Sequence, residues 1–184
     1  MSSVFLCHAS EDKRLAEPVQ LALASADCKV FYDQESLPPG GDYQARIREA
    51  IRQCDVFVFV ASPDSITQGK FTLTELKFAR QRWPSPVRNV LPVAIRGLKP
   101  NELPSYLQAA TVLTPAGNPA AEVRDSVENM LKEQKTRKRE RLTIMVIVIL
   151  ALLIAICITY LVVRNYTGDE CDVPWRNQPI SCKD

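Results

Sequence analysis

The residue types that most often carry out chemistry are few in this chain, and they do not stand in the spacings of common catalytic motifs. The 184 residues contain one histidine, His8, and six cysteines. A lone histidine without a G-x-S-x-G sequence does not indicate a Ser/His/Asp hydrolase. The sequence has neither G-x-G-x-x-G after its first apolar run nor a G-x-x-x-x-G-K-[ST] loop, which excludes Rossmann dinucleotide binding and P-loop chemistry. Two C-terminal thiols, Cys171 and Cys182, do not make a closed zinc site, and no metal is expected.

The predicted strands and helices that would position a site alternate regularly along the chain. Short apolar runs alternate with segments of helical periodicity and predict five strands, at 4–7, 28–32, 56–61, 90–95 and 111–113. The run at 56–61 is apolar throughout, as is typical of a central parallel strand. Strands alternating with helices, the last predicted at 119–131, indicate an α/β fold with a parallel sheet covered on both faces.

In such sheets the ligand crevice lies beyond the carboxyl ends of the strands. The loops to inspect are therefore 7–12, 33–42, 62–71 and 96–103. In the first loop, Ser10 is placed to cap the next helix, with Glu11 and Asp12 as acids in its first turn. Ala61 and Ser62 end the central strand, where a receiver domain needs a phosphoacceptor Asp, so that class is excluded.

A membrane anchor is predicted near the C-terminus. Residues 143–163 carry no charge and as a helix span roughly 30 Å, the thickness of a bilayer core. A basic run precedes them, and it supplies more than the whole net charge of +2. Its position beside the span favours membrane lipids as partners and argues against nucleic acid. The positive-inside rule places the N-terminal domain in the cytoplasm and the tail outside.

The predicted organisation thus has four parts: a globular domain at 1–131, a basic juxtamembrane linker at 132–142, a single transmembrane helix at 143–163 and a short tail at 164–184. No signal peptide is expected, since the chain runs directly into an apolar strand. Cysteines in the N-terminal domain are expected to be reduced core residues. On the oxidising side, Cys171 and Cys182 can close a disulfide loop.

Four motifs in order resemble a bacterial-type Toll/interleukin receptor (TIR) domain. They read FLCHASED from Phe5, VFYD from Val30, LPPG from Leu37, and an Ile47…Ala50-Ile51 pattern before the strand that ends in Ala61-Ser62. The resemblance covers residues 3–131. It implies a flavodoxin-like doubly wound parallel five-stranded sheet and cleavage of NAD between ribose and nicotinamide, with NAD as substrate and no cofactor.

The resemblance also implies a catalytic residue. In that family a glutamate follows the third strand in the order Trp, Cys, two residues, Glu, Leu. Here the stretch reads FTLTEL from Phe71 to Leu76, so Glu75 is the implied catalytic residue, Phe71 the implied stacking ring, and Thr72 replaces Cys. Phe71 lies one helical turn before Glu75, on the same face. The alternative is an exposed helical Glu paired with Lys77 or Arg80, and a Phe that only packs in the core.

Further predicted substrate contacts are Phe5, Ser10 and Asp33. The resemblance implies a pocket role for Phe5, and the backbone amides next to Ser10 can hold a phosphate. Each has an alternative reading from the sequence alone: a core strand residue, a helix cap and an Asx turn, respectively. The loop after the second strand is the implied assembly surface, because in related domains it docks against a neighbour and completes its site. Its residues are Leu37, Pro38, Pro39 and Gly40.

Two functions remain open. The first is a single-pass enzyme of the bacterial inner membrane, an NAD glycohydrolase or cyclase, activated by assembly with other TIR domains in antiphage signalling. The second is a non-catalytic adaptor that recruits other TIR domains to the membrane. The glutamate at position 75 favours the enzyme, and the replacement of Trp and Cys favours the adaptor.

Overall fold

The computed structural model describes residues 2–32 and 42–168. The four strands are β1 Ser2–Cys7, β2 Cys28–Tyr32, β3 Val56–Ala61 and β4 Val90–Ala94. The helices are α1 Lys13–Ser25, α2 Tyr43–Gln53, α3 Phe71–Arg82, α4 Ser105–Gln108 and α5 Pro119–Gly168. Single 3₁₀ turns occupy Ser10–Asp12 and Pro100–Glu102.

The sheet is parallel and has the strand order β2-β1-β3-β4. Every residue of β3 is buried, because the strand is covered on both faces. One face packs Phe57 and Phe59 with α2 and α3, and the other packs Val56 and Val58 with α1 and the first turns of α5. The predicted doubly wound parallel sheet is confirmed.

The prediction of a fifth strand at 111–113 is wrong. Only Val93 and Leu113 form a bridge, in which Leu113 N–H donates to Pro92 O and Ala94 N–H donates to Leu113 O. Extending this parallel ladder in one direction needs the N–H of residue 92, and in the other the N–H of residue 115. Both positions are proline, which has no N–H. The ladder therefore stops after one bridge.

Helix α5 continues beyond residue 131, where its end was predicted. The residues at 132–142 include Lys, Glu, Gln and Arg, which favour helix, and no Gly or Pro. The chain divides into two compact units, one ending at Thr136 and one starting at Arg137. In the second unit the apolar stretch of α5 is exposed, and its length and composition are sufficient to cross a membrane.

Candidate functional site

The strand order reverses between β1 and β3, and a crevice at the carboxyl ends of these strands is where such folds bind ligands. Helices α2 and α3 both begin at this edge of the sheet, on the same face. Helix α2 is capped by Asp42, whose carboxylate accepts from Gln44 N–H at 3.0 Å and Ala45 N–H at 3.2 Å. Helix α3 begins at Phe71. In a helix the Cα–Cβ bonds tilt towards the N-terminus, so residues of these first turns lean towards the crevice.

Glu75 is buried, with only 6% of its surface exposed. The alternative of an exposed helical Glu is therefore wrong. The cause is the helical period, which puts Glu75 on the stripe that α3 buries together with Thr72, Leu76 and Ala79. A carboxylate in such surroundings acts on a nearby positive charge more strongly than it would in water.

Phe71, the implied stacking ring, is partly exposed and packs against the core. Its ring centroid lies 5.1 Å from that of Tyr43, the first residue of α2, with the planes at 44°. The rings at the starts of α2 and α3 therefore touch. Sequence reasoning did not single out Tyr43, because nothing in its local pattern predicts contact with a residue 28 positions later.

Phe5 is a core residue of β1, with 4% of its surface exposed. Its ring stacks on Phe57 in β3, with centroids 5.5 Å apart and planes at 9°. This is the alternative that the sequence left open for Phe5. It places the ring in the layer beneath α2 and α3.

Ser10 is exposed and does not cap a helix, so its interpretation as a cap is wrong. The chain first forms a 3₁₀ turn over Ser10–Asp12, closed by Asp12 N–H donating to Ala9 O at 2.9 Å. This turn moves the start of α1 to Lys13 and directs Asp12 inward.

Asp12 is the polar residue at this edge that sequence reasoning missed. Its sequence position predicts an acid in the first turn of a helix, yet Asp12 is 1% exposed. Ser62 Oγ donates to its Oδ2, and Arg96 Nη1 lies 3.2 Å from its Oδ1. The loops after β1, β3 and β4 are therefore tied together by one buried carboxylate. Asp12 follows an apolar run by five residues, a position from which a side chain can return to the sheet edge.

The contacts of Ser62 continue this network to α3. Ser62 and Ser65 exchange hydrogen bonds, with Ser65 N–H to Ser62 Oγ at 3.1 Å and Ser62 N–H to Ser65 Oγ at 2.8 Å. Thr72 Oγ1 then donates to Ser65 O, and Cys7 Sγ–H faces Thr72 O at 3.9 Å. All four residues are buried. The first turn of α3, which precedes Glu75, is thus fixed to both central strands.

A second layer of contacts is more exposed. Arg96 also pairs with Asp64, and these hydrogen bonds raise the pKa of its guanidinium. Arg96 and Gly97 have positive φ angles of 54° and 78°. Such a conformation is uncommon for a residue with a side chain, so the ion pairs hold Arg96 in an unfavourable backbone state. A hydrogen bond from Lys70 lowers the pKa of Glu11 across the rim of the crevice.

His8 is buried at the end of β1, with 8% of its surface exposed. Its ring meets Tyr32 edge to face, with centroids 4.8 Å apart. Neither ring nitrogen has a hydrogen-bond partner among the residues that the structure describes. No group of three His, Cys, Asp or Glu side chains within 2–32 and 42–168 is arranged to hold a metal ion.

Several predicted site residues lie outside the described residues. They are the implied substrate residue, the assembly loop and the two tail cysteines: Asp33, Leu37, Pro38, Pro39, Gly40, Cys171 and Cys182. Their roles stay predictions.

Comparison with known proteins gives one consistent fold. The family model of the TIR domain matches residues 4–118. A metazoan TIR-STING receptor from C. gigas superimposes with a TM-score of 0.56 at 19% identity, over 67% of this chain and 39% of the receptor. The TIR domain of the Toll-related receptor TRR-2 from Hydra magnipapillata superimposes with a TM-score of 0.55 at 21% identity, over 69% of this chain and 96% of that domain. This chain thus spans about two-fifths of the C. gigas receptor. No curated protein matches the sequence.

Proposed function

Because the chain belongs to the TIR domain family, we propose that it is an enzyme that cleaves the nicotinamide–ribose bond of NAD, with Glu75 as the catalytic residue. The observation that carries this proposal is the placement of Glu75. It is a buried carboxylate on α3, one turn after a partly exposed aromatic ring, beside the point where the strand order reverses. A glutamate that only contributes to solubility would lie on the exposed face of the helix.

The chemistry requires little more than one carboxylate. When the C1′–N bond of NAD breaks, both electrons stay with nitrogen, so the cationic pyridinium leaves as neutral nicotinamide and needs no general acid. Positive charge then develops on the ribosyl carbon. Glu75 would stabilise this oxocarbenium-like state by its charge and would hold the ribose hydroxyls by hydrogen bonds. In hydrolysis, water then bonds to C1′ and releases a proton to solvent. In a cyclase, the lone pair of an adenine ring nitrogen bonds to C1′ instead, and the positive charge passes to the adenine.

Assembly at a membrane is the second part of the proposal. The exposed apolar stretch of α5 would anchor the chain in the bacterial inner membrane, with the domain in the cytoplasm and the basic run 132–141 at the lipid headgroups. Confinement to a surface raises the effective concentration of copies without any new contact. The loop 37–40 would then complete the site of a neighbour. Activation by crowding of this kind suits a role in antiphage signalling.

The experiment reconstitutes the full chain in liposomes at increasing surface density and measures free nicotinamide from NAD. Glu75→Gln keeps the side-chain shape but removes the charge, and we expect nicotinamide release to fall about 100-fold or more. Glu49→Gln is the matched control, since Glu49 is an exposed glutamate that pairs with Arg52 at 3.1 Å. Glu75→Gln chains that fold and release nicotinamide at the wild-type rate would refute the catalytic role.

The second candidate function is an adaptor without catalysis. The observation that favours it is the departure at positions 71 and 72, where Phe and Thr replace the Trp and Cys of the family pattern, and where the Thr72 hydroxyl donates to Ser65 O. An adaptor would release no nicotinamide at any surface density but would still recruit a second TIR domain to liposomes. The same reconstitution therefore separates the two functions.

A further inference from the structure

The proposed site has a smaller ring than its family pattern provides. Phe71 stands where the pattern has Trp, so the ring available for stacking lacks the second, fused ring of an indole. A single phenyl ring matches the pyridinium ring of nicotinamide in size and leaves its carboxamide uncovered. Tyr43 supplies aromatic surface next to that place, because its ring centroid lies 5.1 Å from that of Phe71.

We propose that Tyr43 is a further substrate-binding residue, which together with Phe71 forms a two-ring surface for the nicotinamide of NAD. This inference rests on the proposed function and names a binding residue for the same site. The two rings come from different helices, and each belongs to the first residue of its helix. Both residues are partly exposed, whereas the next aromatic ring along α3, Phe78, is buried.

The placement of the two rings has a backbone cause. Helices α2 and α3 both begin at the carboxyl edge of the parallel sheet, since one leads into β3 and the other follows it. Side chains of first-turn residues lean towards the helix start, which here is the crevice. Asp42 fixes the start of α2 through its two hydrogen bonds to Gln44 N–H and Ala45 N–H. The Tyr43 ring is thereby held beside Phe71.

The charge of the substrate explains why a second ring would matter. The nicotinamide of NAD is a cationic pyridinium, and a cation binds the face of an aromatic ring more tightly than a neutral group does. In the proposed site the pyridinium would lie against both rings, whose planes are tilted at 44° to each other. After cleavage the nicotinamide is neutral and this attraction is lost. The pair therefore binds the substrate more tightly than the leaving product.

The test measures NAD cleavage by the full chain in liposomes and separates KM from kcat. Because ring stacking contributes to substrate binding, Tyr43→Ala should raise KM roughly three- to tenfold and leave kcat within about twofold. Tyr43→Phe keeps the ring and should keep KM near the wild-type value. In the double variant Tyr43→Ala with Phe71→Trp, the indole replaces the lost surface, and KM should return towards wild type.

Phe78→Leu provides the matched control. Phe78 is another ring between α2 and α3, and Arg48 Cζ lies 4.7 Å from its ring centroid. Loss of this ring should lower the melting temperature without changing KM. A Tyr43→Ala variant that behaves in the same way, with a lower melting temperature and unchanged KM, would overturn the proposal, because the contact would then be packing alone. Failure of Phe71→Trp to lower the KM of Tyr43→Ala would overturn it as well.

A direct binding measurement distinguishes this inference from the proposed function. NAD binding is measured by saturation-transfer NMR in Glu75→Gln and in Glu75→Gln with Tyr43→Ala. Weaker binding in the double variant supports the two-ring surface even if the wild type cleaves no NAD. Equal binding in both variants refutes it even if the wild type is active.

Discussion

Replacing Thr72 by Val removes one hydroxyl from the buried start of α3 and leaves the side-chain shape nearly unchanged. Thr72 is 4% exposed, and its hydroxyl donates to the carbonyl oxygen of Ser65, which is completely buried. Leaving a buried acceptor without its donor costs about 1–3 kcal/mol, partly offset by burial of the new methyl group. We therefore expect the free energy of unfolding to fall by about 1–2 kcal/mol. For a domain of this size, that lowers the melting temperature by about 4–8 °C.

The assay is thermal unfolding of residues 1–136, followed by circular dichroism. Thr67→Val is the matched control, since Thr67 is exposed and its hydroxyl donates to Pro63 O at 2.8 Å in the same manner. Water replaces the lost donor at Thr67, so its melting temperature should change by less than about 2 °C. Equal changes of melting temperature in the two variants would contradict the reasoning, because the hydrogen bond of Thr72 would then contribute no more to stability than an exposed one.

Three further predictions concern other parts of the molecule. Asp12→Asn leaves one acceptor oxygen for the two donors Ser62 and Arg96, and should lower the free energy of unfolding by about 1–3 kcal/mol in urea titration. The loss should exceed that of Asp64→Asn, because Asp64, the other partner of Arg96, is partly exposed. Burial raises the pKa of the Cys54 thiol to about 12; an unfolded thiol ionises near pH 9, so stability should fall between about pH 9 and 12, and less in Cys54→Ala. Leu37→Asp should reduce nicotinamide release only at high surface density on liposomes; equal loss at low density would argue against an assembly loop.

Much of the sheet could be predicted because every residue of β3 is apolar, as a strand covered on both faces requires. Six consecutive apolar positions are needed where both faces are covered, and the structure buries all six. The strand at 111–113 could not be predicted correctly from apolarity. Whether this segment forms a strand depends on Pro92 and Pro115, which lack the N–H groups that the ladder needs. Their position in the ladder is known only from the pairing of Val93 with Leu113 in the folded chain.

The site was less predictable than the fold, for a reason that Asp12 and Glu75 share. Both are charged, and charged side chains are mostly exposed in folded proteins. Asp12 is buried with the Ser62 hydroxyl and the Arg96 guanidinium as its partners. Glu75 is buried because it lies on the stripe of α3 that packs on the core. The motif resemblance identified Glu75 as a site residue but did not predict that its side chain is buried. Nothing local predicted the pairing of Tyr43 with Phe71, because the two rings meet only after α2 and α3 pack.

The single bridge between Val93 and Leu113 covers the outer edge of β4. Sheet edges with free N–H groups recruit strands from other molecules and lead to aggregates. On the outer edge of β4, Val90 N–H donates to Pro86 O at 2.9 Å, Pro92 has no N–H, and Ala94 N–H donates to Leu113 O at 2.8 Å. The edge therefore offers no donor to an incoming strand. A strand of another copy therefore cannot extend the sheet at β4, and this edge is protected from amyloid-like growth.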